Sequence, residues 1–267
     1  VHRGGVDLLY VHLGRSGYLR NTAYRWAHVI NNLASAIFGF IYIALWQAVA
    51  PVQGAAGDPY TRSTMTGMMV LAQVIAWASI FLPAGLSIQQ GVRTGAIALE
   101  MARPVPYFPM VMAREAGATA YRALYRSLPL ALLFAVTVGF PRPASAGALL
   151  YSIPSVLLAA YVGHALVYTV GISSLWTTEV RYAHWLYSSA STLLSGGWVP
   201  ANILPGVLGT VAPYLPFAAQ AYYPVRIYLG LTGPEGLLVQ AAWAAVLTLW
   251  CLWLTRRALR RVVVQGG

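Results

Sequence analysis

Few side chains in this chain could do chemistry, and their spacing says more than their number. Five histidines stand at His2, His12, His28, His164 and His184. None lies at metal-ligand spacing from another, and no HExxH occurs. His164 alone falls deep in an apolar run. Ser173 and Ser174 follow it nine and ten residues on. That is about 13–15 Å along a helix axis, too far for a serine–histidine pair within one helix. A polar residue inside a membrane is a functional candidate, while a histidine in a small-residue helix also serves as an interhelical hydrogen bonder. Catalysis, contact with a substrate or proton, and packing are all open for it.

The six acids, Asp7, Asp58, Glu100, Glu115, Glu179 and Glu235, lie outside the centres of the apolar runs. No carboxylate is placed to relay protons or bind sodium at a membrane midplane, which weighs against an ion-coupled carrier. All 17 basic residues are Arg. Without Lys there is no Walker A loop and no Schiff-base chemistry. The single Cys251 forms neither an intrachain disulfide nor a cysteine-based metal site. Energy for moving a substrate would have to enter from another polypeptide.

The elements that must position these residues are membrane helices. The 267 residues are 58% hydrophobic and 9% charged, against about 25% charged in a soluble domain. Such a chain cannot cover itself with a charged surface. Uncharged windows of 32, 30, 15, 36, 44 and 20 residues follow Arg25, Arg62, Arg126, Arg142, Arg181 and Glu235. About 20 apolar residues cross a bilayer core, and snorkelling of Arg122 and Arg126 lengthens the short window. This predicts an all-α protein of one domain, 1–267, with six spans near 27–50, 64–87, 119–140, 149–174, 180–198 and 236–256. With both termini on one side, fourteen of the seventeen Arg share that side, which makes it cytoplasmic. Arg at the ends of apolar runs meet lipid headgroups, so the +11 charge does not point to nucleic acid.

Three stretches stand out between the spans. Residues 1–26 mix Arg15, Arg20 and Arg25 with Tyr18, Leu19, Tyr24 and Trp26. They read as an interfacial helix or as a basic flank of the first span, and lack the pattern of a signal peptide. Residues 88–118 are Arg-rich and hold a short helix candidate, Gly95–Ala102, stopped by Pro104 and Pro106. Ile97, Leu99 and Met101 could fill a partner's groove, with Glu100 and Arg103 at i,i+3 setting a polar register; an amphipathic loop lying on the bilayer is the alternative. Residues 196–233 are apolar but broken by Pro200, Pro205, Pro213, Pro216 and Pro224. Short helices that dip into the outer leaflet and return satisfy both facts, provided they pack against protein.

Three segments resemble the permease subunits of type-2 ATP-binding-cassette exporters, in the branch that pairs two related permeases with a separate ATPase. They are Tyr18–Trp46, the GAIALEMARPVP stretch Gly95–Pro106, and Leu194–Gly230 with its Leu-Ser-Gly and spaced prolines. Gly196-Gly197-Trp198 departs from the family pattern, and Trp198 reads as a headgroup anchor. The resemblance implies an N-terminal elbow helix, a cytoplasmic coupling helix between the second and third spans, and re-entrant outer helices before the last span. It also implies two cytosolic ATPase subunits that bind ATP and Mg, a second and related permease, and a bacterial cytoplasmic membrane. Neither cofactor nor metal is expected in this chain, and no catalysis. Ile97, Leu99, Glu100, Arg103 and Pro104 become ATPase-contact candidates. Trp77, Phe81, His164, Trp185, Tyr187 and Thr192 become pathway candidates, and Gly196, Pro200 and Pro205 outer-gate candidates. An intramembrane lipid or glycan transferase, built on His164 or Glu179, and a secondary carrier are the rivals.

Overall fold

The computed structural model describes residues 3–22, 25–51, 59–177 and 180–265, with side chains for all of these except 3–7, 25–28, 84 and 262–265. His2, Tyr24, Asp58 and Glu179 therefore lie outside the described residues, as do the side chains of Asp7, Trp26 and His28. Among the described residues there are helices and turns and no strand. In chain order the helices are α1 (Arg3–Thr22), α2 (Arg25–Val49), α3 (Arg62–Ser79), α4 (Ile88–Arg93), α5 (Ala96–Met101), α6 (Tyr107–Arg122), α7 (Leu128–Thr137), α8 (Ala146–Ile172), α9 (Arg181–Leu194), α10 (Val207–Val211), α11 (Tyr222–Tyr228) and α12 (Glu235–Gln265).

The centre of the bundle is α8. Its second half is apolar all round and accordingly buried: Ala159, Val162, Ala165, Val167, Tyr168 and Ile172 have essentially no exposed surface. Ser145 caps its start by accepting from the Ala148 amide at 3.0 Å. Its glycines let neighbouring backbone approach. A Cβ at Gly163 would collide with the Ser79 carbonyl, and one at Gly171 would collide with Gly85. The chain that follows α3 is thereby seated on α8, and Gly85, Leu86 and Ser87 turn there with positive φ. The α3 helix ends at Ser79 for this reason, short of the expected 64–87.

The third expected span also differs. It begins at Tyr107, twelve residues before 119, and continues from α6 through one π turn, Ala123–Ser127, into α7. Pro129 explains the turn. It has no N–H to donate to the Tyr125 carbonyl, and the Asn32 side chain of α2 donates to that carbonyl instead at 2.9 Å. Residues 107–118 thus belong to the rod of a long helix and not to the 88–118 loop. The expected fifth span, 180–198, closes early as α9.

Among the described residues, three stretches suffice on length and composition to cross a membrane: Val29–Val49, Ala146–Leu175 and Glu235–Arg261. The 18 residues of α3 rise about 27 Å, just under a hydrocarbon core of about 30 Å, and the 14 of α9 about 21 Å. The sequence windows that suggested six spans run on through the turns after these two helices. A charge-free window reports what tolerates lipid, and does not report where the helix stops.

Candidate functional site

The Arg-rich loop is a clasped element. Gly95 takes φ +74, a left-handed turn open to a glycine, between α4 and α5. Ile97 and Met101 turn inward and are buried in the chain's own core. This corrects the expectation that both fill a partner's groove: one helix face cannot serve two surfaces. Leu99 is 78% exposed and is the large apolar side chain that α5 presents outward. Arg103 and Pro104 are exposed beyond it. The expected Glu100–Arg103 register is also corrected. Glu100 pairs with Arg114 of α6, Oε1 to Nη2 at 3.1 Å.

The next residue on α6 reaches elsewhere. Glu115, buried, faces Arg122 at 3.5 Å and Arg20 of α1 at 3.6 Å. The two helices touch at their backbones, since a Cβ at Gly117 would strike the Gly14 carbonyl and one at Gly17 the Arg114 carbonyl. Tyr18 meets Tyr121 edge-on at 5.4 Å. The mixed polar and aromatic character of α1 is used in docking it on α6.

His164 joins this cluster. Its Nδ1 faces the Ala160 carbonyl, so that nitrogen carries the proton. Nε2 then accepts from Arg122 Nη2 at 3.1 Å and lies 3.0 Å from Thr119 Oγ1. Both nitrogens are engaged, and no serine or cysteine bonds to it among the described residues. It ties α8 to α6.

A cavity of about 270 Å³ lies between α2 and α3. Of the six pathway candidates it takes in Trp77 and Phe81, whose rings stand 5.2 Å apart. The Arg126 guanidinium lies 4.6 Å over Trp77, a cation–π contact. Phe38, Tyr42 and Trp198 complete the aromatic wall, and Asn31, Ser35 and Gln73 supply polar groups. Trp198 is not merely a headgroup anchor. Its ring packs 4.4 Å from Tyr42, and its carbonyl accepts from the Trp46 indole at 3.0 Å. Sequence reasoning set Trp198 aside and missed Tyr42; the aromatic spacing of Phe38 and Tyr42, one helical turn apart, was the available signal. Aromatic faces beside amide and hydroxyl groups suit a molecule with an apolar body and a polar handle.

Three of the other pathway candidates lie on α9 outside that cavity. Trp185 is 69% exposed, Thr192 is half-buried and Tyr187 is buried. Tyr187 donates to Gln220 Oε1 at 3.1 Å, and Gln220 Nε2 donates to Ser191 at 3.2 Å. The Gln220 carbonyl accepts from Ser79 at 2.9 Å. On the other side Gln240 of α12 donates to the Ala219 carbonyl at 2.8 Å and to the Ser155 carbonyl at 3.0 Å, while Ser155 Oγ donates to Gln240 Oε1 at 2.6 Å. Gln240 and Ser79 thereby satisfy the irregular backbone carbonyls at 219–220, which lipid could not. Gly196 is buried at φ +78 beside Tyr222, where a side chain would clash. Pro200 is buried and Pro205 exposed, so the three gate candidates do not share one surface.

The sequence model of the ABC-2 family transporter proteins matches residues 27–266. Compared with curated proteins and with solved structures, the chain finds no match. With the match running from the first long helix to the end of the last, this membrane-embedded chain belongs to the ABC-2 family transporter proteins, as a transport permease.

Proposed function

We propose that the chain is the membrane-spanning half of an ATP-driven exporter of amphipathic molecules. It crosses the membrane six times with its Arg-rich face in the cytosol, α3 and α9 spanning together with the turns that follow them. A second permease, related in sequence, completes the pathway, and two cytosolic ATPase subunits carry ATP and Mg. The observation that carries this reading is the clasped loop: α5 is held by its buried face and by Glu100–Arg114, and offers Leu99, Arg103 and Pro104 outward. A soluble motor that grips those residues moves α6, and α6 leads without a break into the membrane. ATP binding shifts the permease because the motor grips its two states with different affinity. The cavity of Trp77 and Phe81 supports an aromatic, amphipathic cargo, and the segment 196–233 acts as the outer gate.

Co-expression with the ATPase tests this. Leu99→Asp and Arg103→Glu should each weaken co-purification at least tenfold while the permease still reaches the membrane. Trp77→Ala should keep the complex and raise the half-saturating substrate concentration. An intact complex in both loop variants would remove α5 as the contact, and transport by the isolated chain in liposomes without nucleotide would remove the motor.

A further inference from the structure

A second cavity, of about 420 Å³, lies between the segment after α5 and the far half of α12. Its charged groups are the guanidinium side chains of Arg103 and Arg256, and Tyr107 and Thr255 add hydroxyls to the lining. Neither makes an ion pair or hydrogen bond with any described residue, whereas Arg114 and Arg122 of α6 both do. The remaining wall is apolar and aromatic, notably Val105, Phe108, Leu252 and Leu259.

The level of this cavity is fixed by α12. Twenty uncharged residues precede Arg256, so Arg256 marks the point where the helix leaves hydrocarbon. Trp250 and Trp253 stack at 5.0 Å just before it, and Arg257 covers Trp253 at 5.0 Å, the pattern of a headgroup boundary. Leu252 therefore lies at acyl depth while Arg256 lies at headgroup depth, one helical turn away. Two unneutralised guanidiniums above an apolar wall match a phosphate attached to acyl chains. Arg103 is also offered to the motor in the function proposed above, but Leu252 belongs to the apolar run and lies at a depth that lipid reaches and a cytosolic partner does not.

We infer that this cavity is a binding site for an anionic phospholipid of the Arg-rich leaflet, its phosphate held between Arg103 and Arg256 and one acyl chain lying along Leu252 and Phe108. The leaflet is the inner one in the orientation proposed above, but the site does not depend on that assignment. Because Arg103 stands in the loop that carries α5, the lipid would brace that loop against α12.

The full chain in nanodiscs of phosphatidylcholine with a minority of phosphatidylglycerol tests this by native mass spectrometry of retained lipid. Wild type should retain phosphatidylglycerol over phosphatidylcholine about tenfold. The double variant Arg103→Gln/Arg256→Gln should lose that preference, and Arg257→Gln/Arg260→Gln should keep it. Val105→Trp, which fills the apolar part and leaves both charges, should also release the lipid. Equal loss in the Arg257/Arg260 variant, or retention in Val105→Trp, would show diffuse surface charge and overturn the site. Displacement by millimolar inorganic phosphate would make it a free-anion pocket and overturn the lipid assignment. Unchanged lipid retention in the double variant together with a lost ATPase complex would assign the two arginines to the protein partner instead.

Discussion

Arg114 and Glu100 stand 3.1 Å apart, fourteen residues distant in sequence, and fasten the loop that bears α5 to the helix that enters the membrane. Their side chains are 22% and 30% exposed, so the pair contributes about 1 kcal/mol or less to stability. Its importance is positional. Consecutive helix residues point about 100° apart, and Glu115 accordingly faces Arg20 and Arg122 while Arg114 faces the loop. One helix thus holds α1, the loop and the His164 cluster.

Breaking the clasp should separate coupling from stability. Glu100→Gln is expected to cost less than about 1 kcal/mol in a denaturant melt, yet lower transport-coupled ATP hydrolysis several-fold. The exchange Glu100→Arg/Arg114→Glu should restore most of the coupling. If the exchanged pair stays as poor as the single variant, the two charges act separately and the loop is placed by other contacts.

The buried carboxylate should behave differently. Glu115→Ala leaves Arg122, with a side chain 5% exposed, without a counter-charge. Orphaning a buried charge costs about 3–5 kcal/mol. Arg20→Ala removes a partner whose side chain is 51% exposed and should cost under about 1 kcal/mol. Thermal unfolding in detergent reads both, and similar midpoints would mean that water reaches Glu115.

Packing at the α1–α6 crossing gives a third prediction. Alanine is the better helix former by about 1 kcal/mol, but in Gly117→Ala the new methyl would strike the Gly14 carbonyl. Overpacking of about 1–3 kcal/mol should prevail, lowering the unfolding midpoint. Gly91→Ala is the control, because its Cβ meets Ile97 at an ordinary 3.7 Å. A midpoint that rises in Gly117→Ala would show that α1 shifts without cost.

The glutamine brace should govern the broken segment. Gln240→Leu removes the donor to the Ala219 carbonyl, and an orphaned buried acceptor costs about 1–3 kcal/mol. Proteolysis within the exposed stretch 205–208 should accelerate about tenfold relative to wild type. Unchanged cleavage would mean that the segment is held by its apolar contacts alone.

Composition and the run lengths between charges were enough to establish an all-helical membrane chain, because hydrocarbon admits no unpaired backbone and few charges. The prolines at 200–224 announced a broken segment, and Pro104 and Pro106 the end of α5, since proline acts on the chain locally. The inward turn of Ile97, the pairing of Glu100 with Arg114, the engaged nitrogens of His164 and the bracing of Ala219–Gln220 by Gln240 were decided by tertiary structure. Each joins residues that are neighbours only after helices pack. A sequence gives the face that a side chain occupies on its own helix, and which helix comes to meet that face depends on how the whole bundle closes.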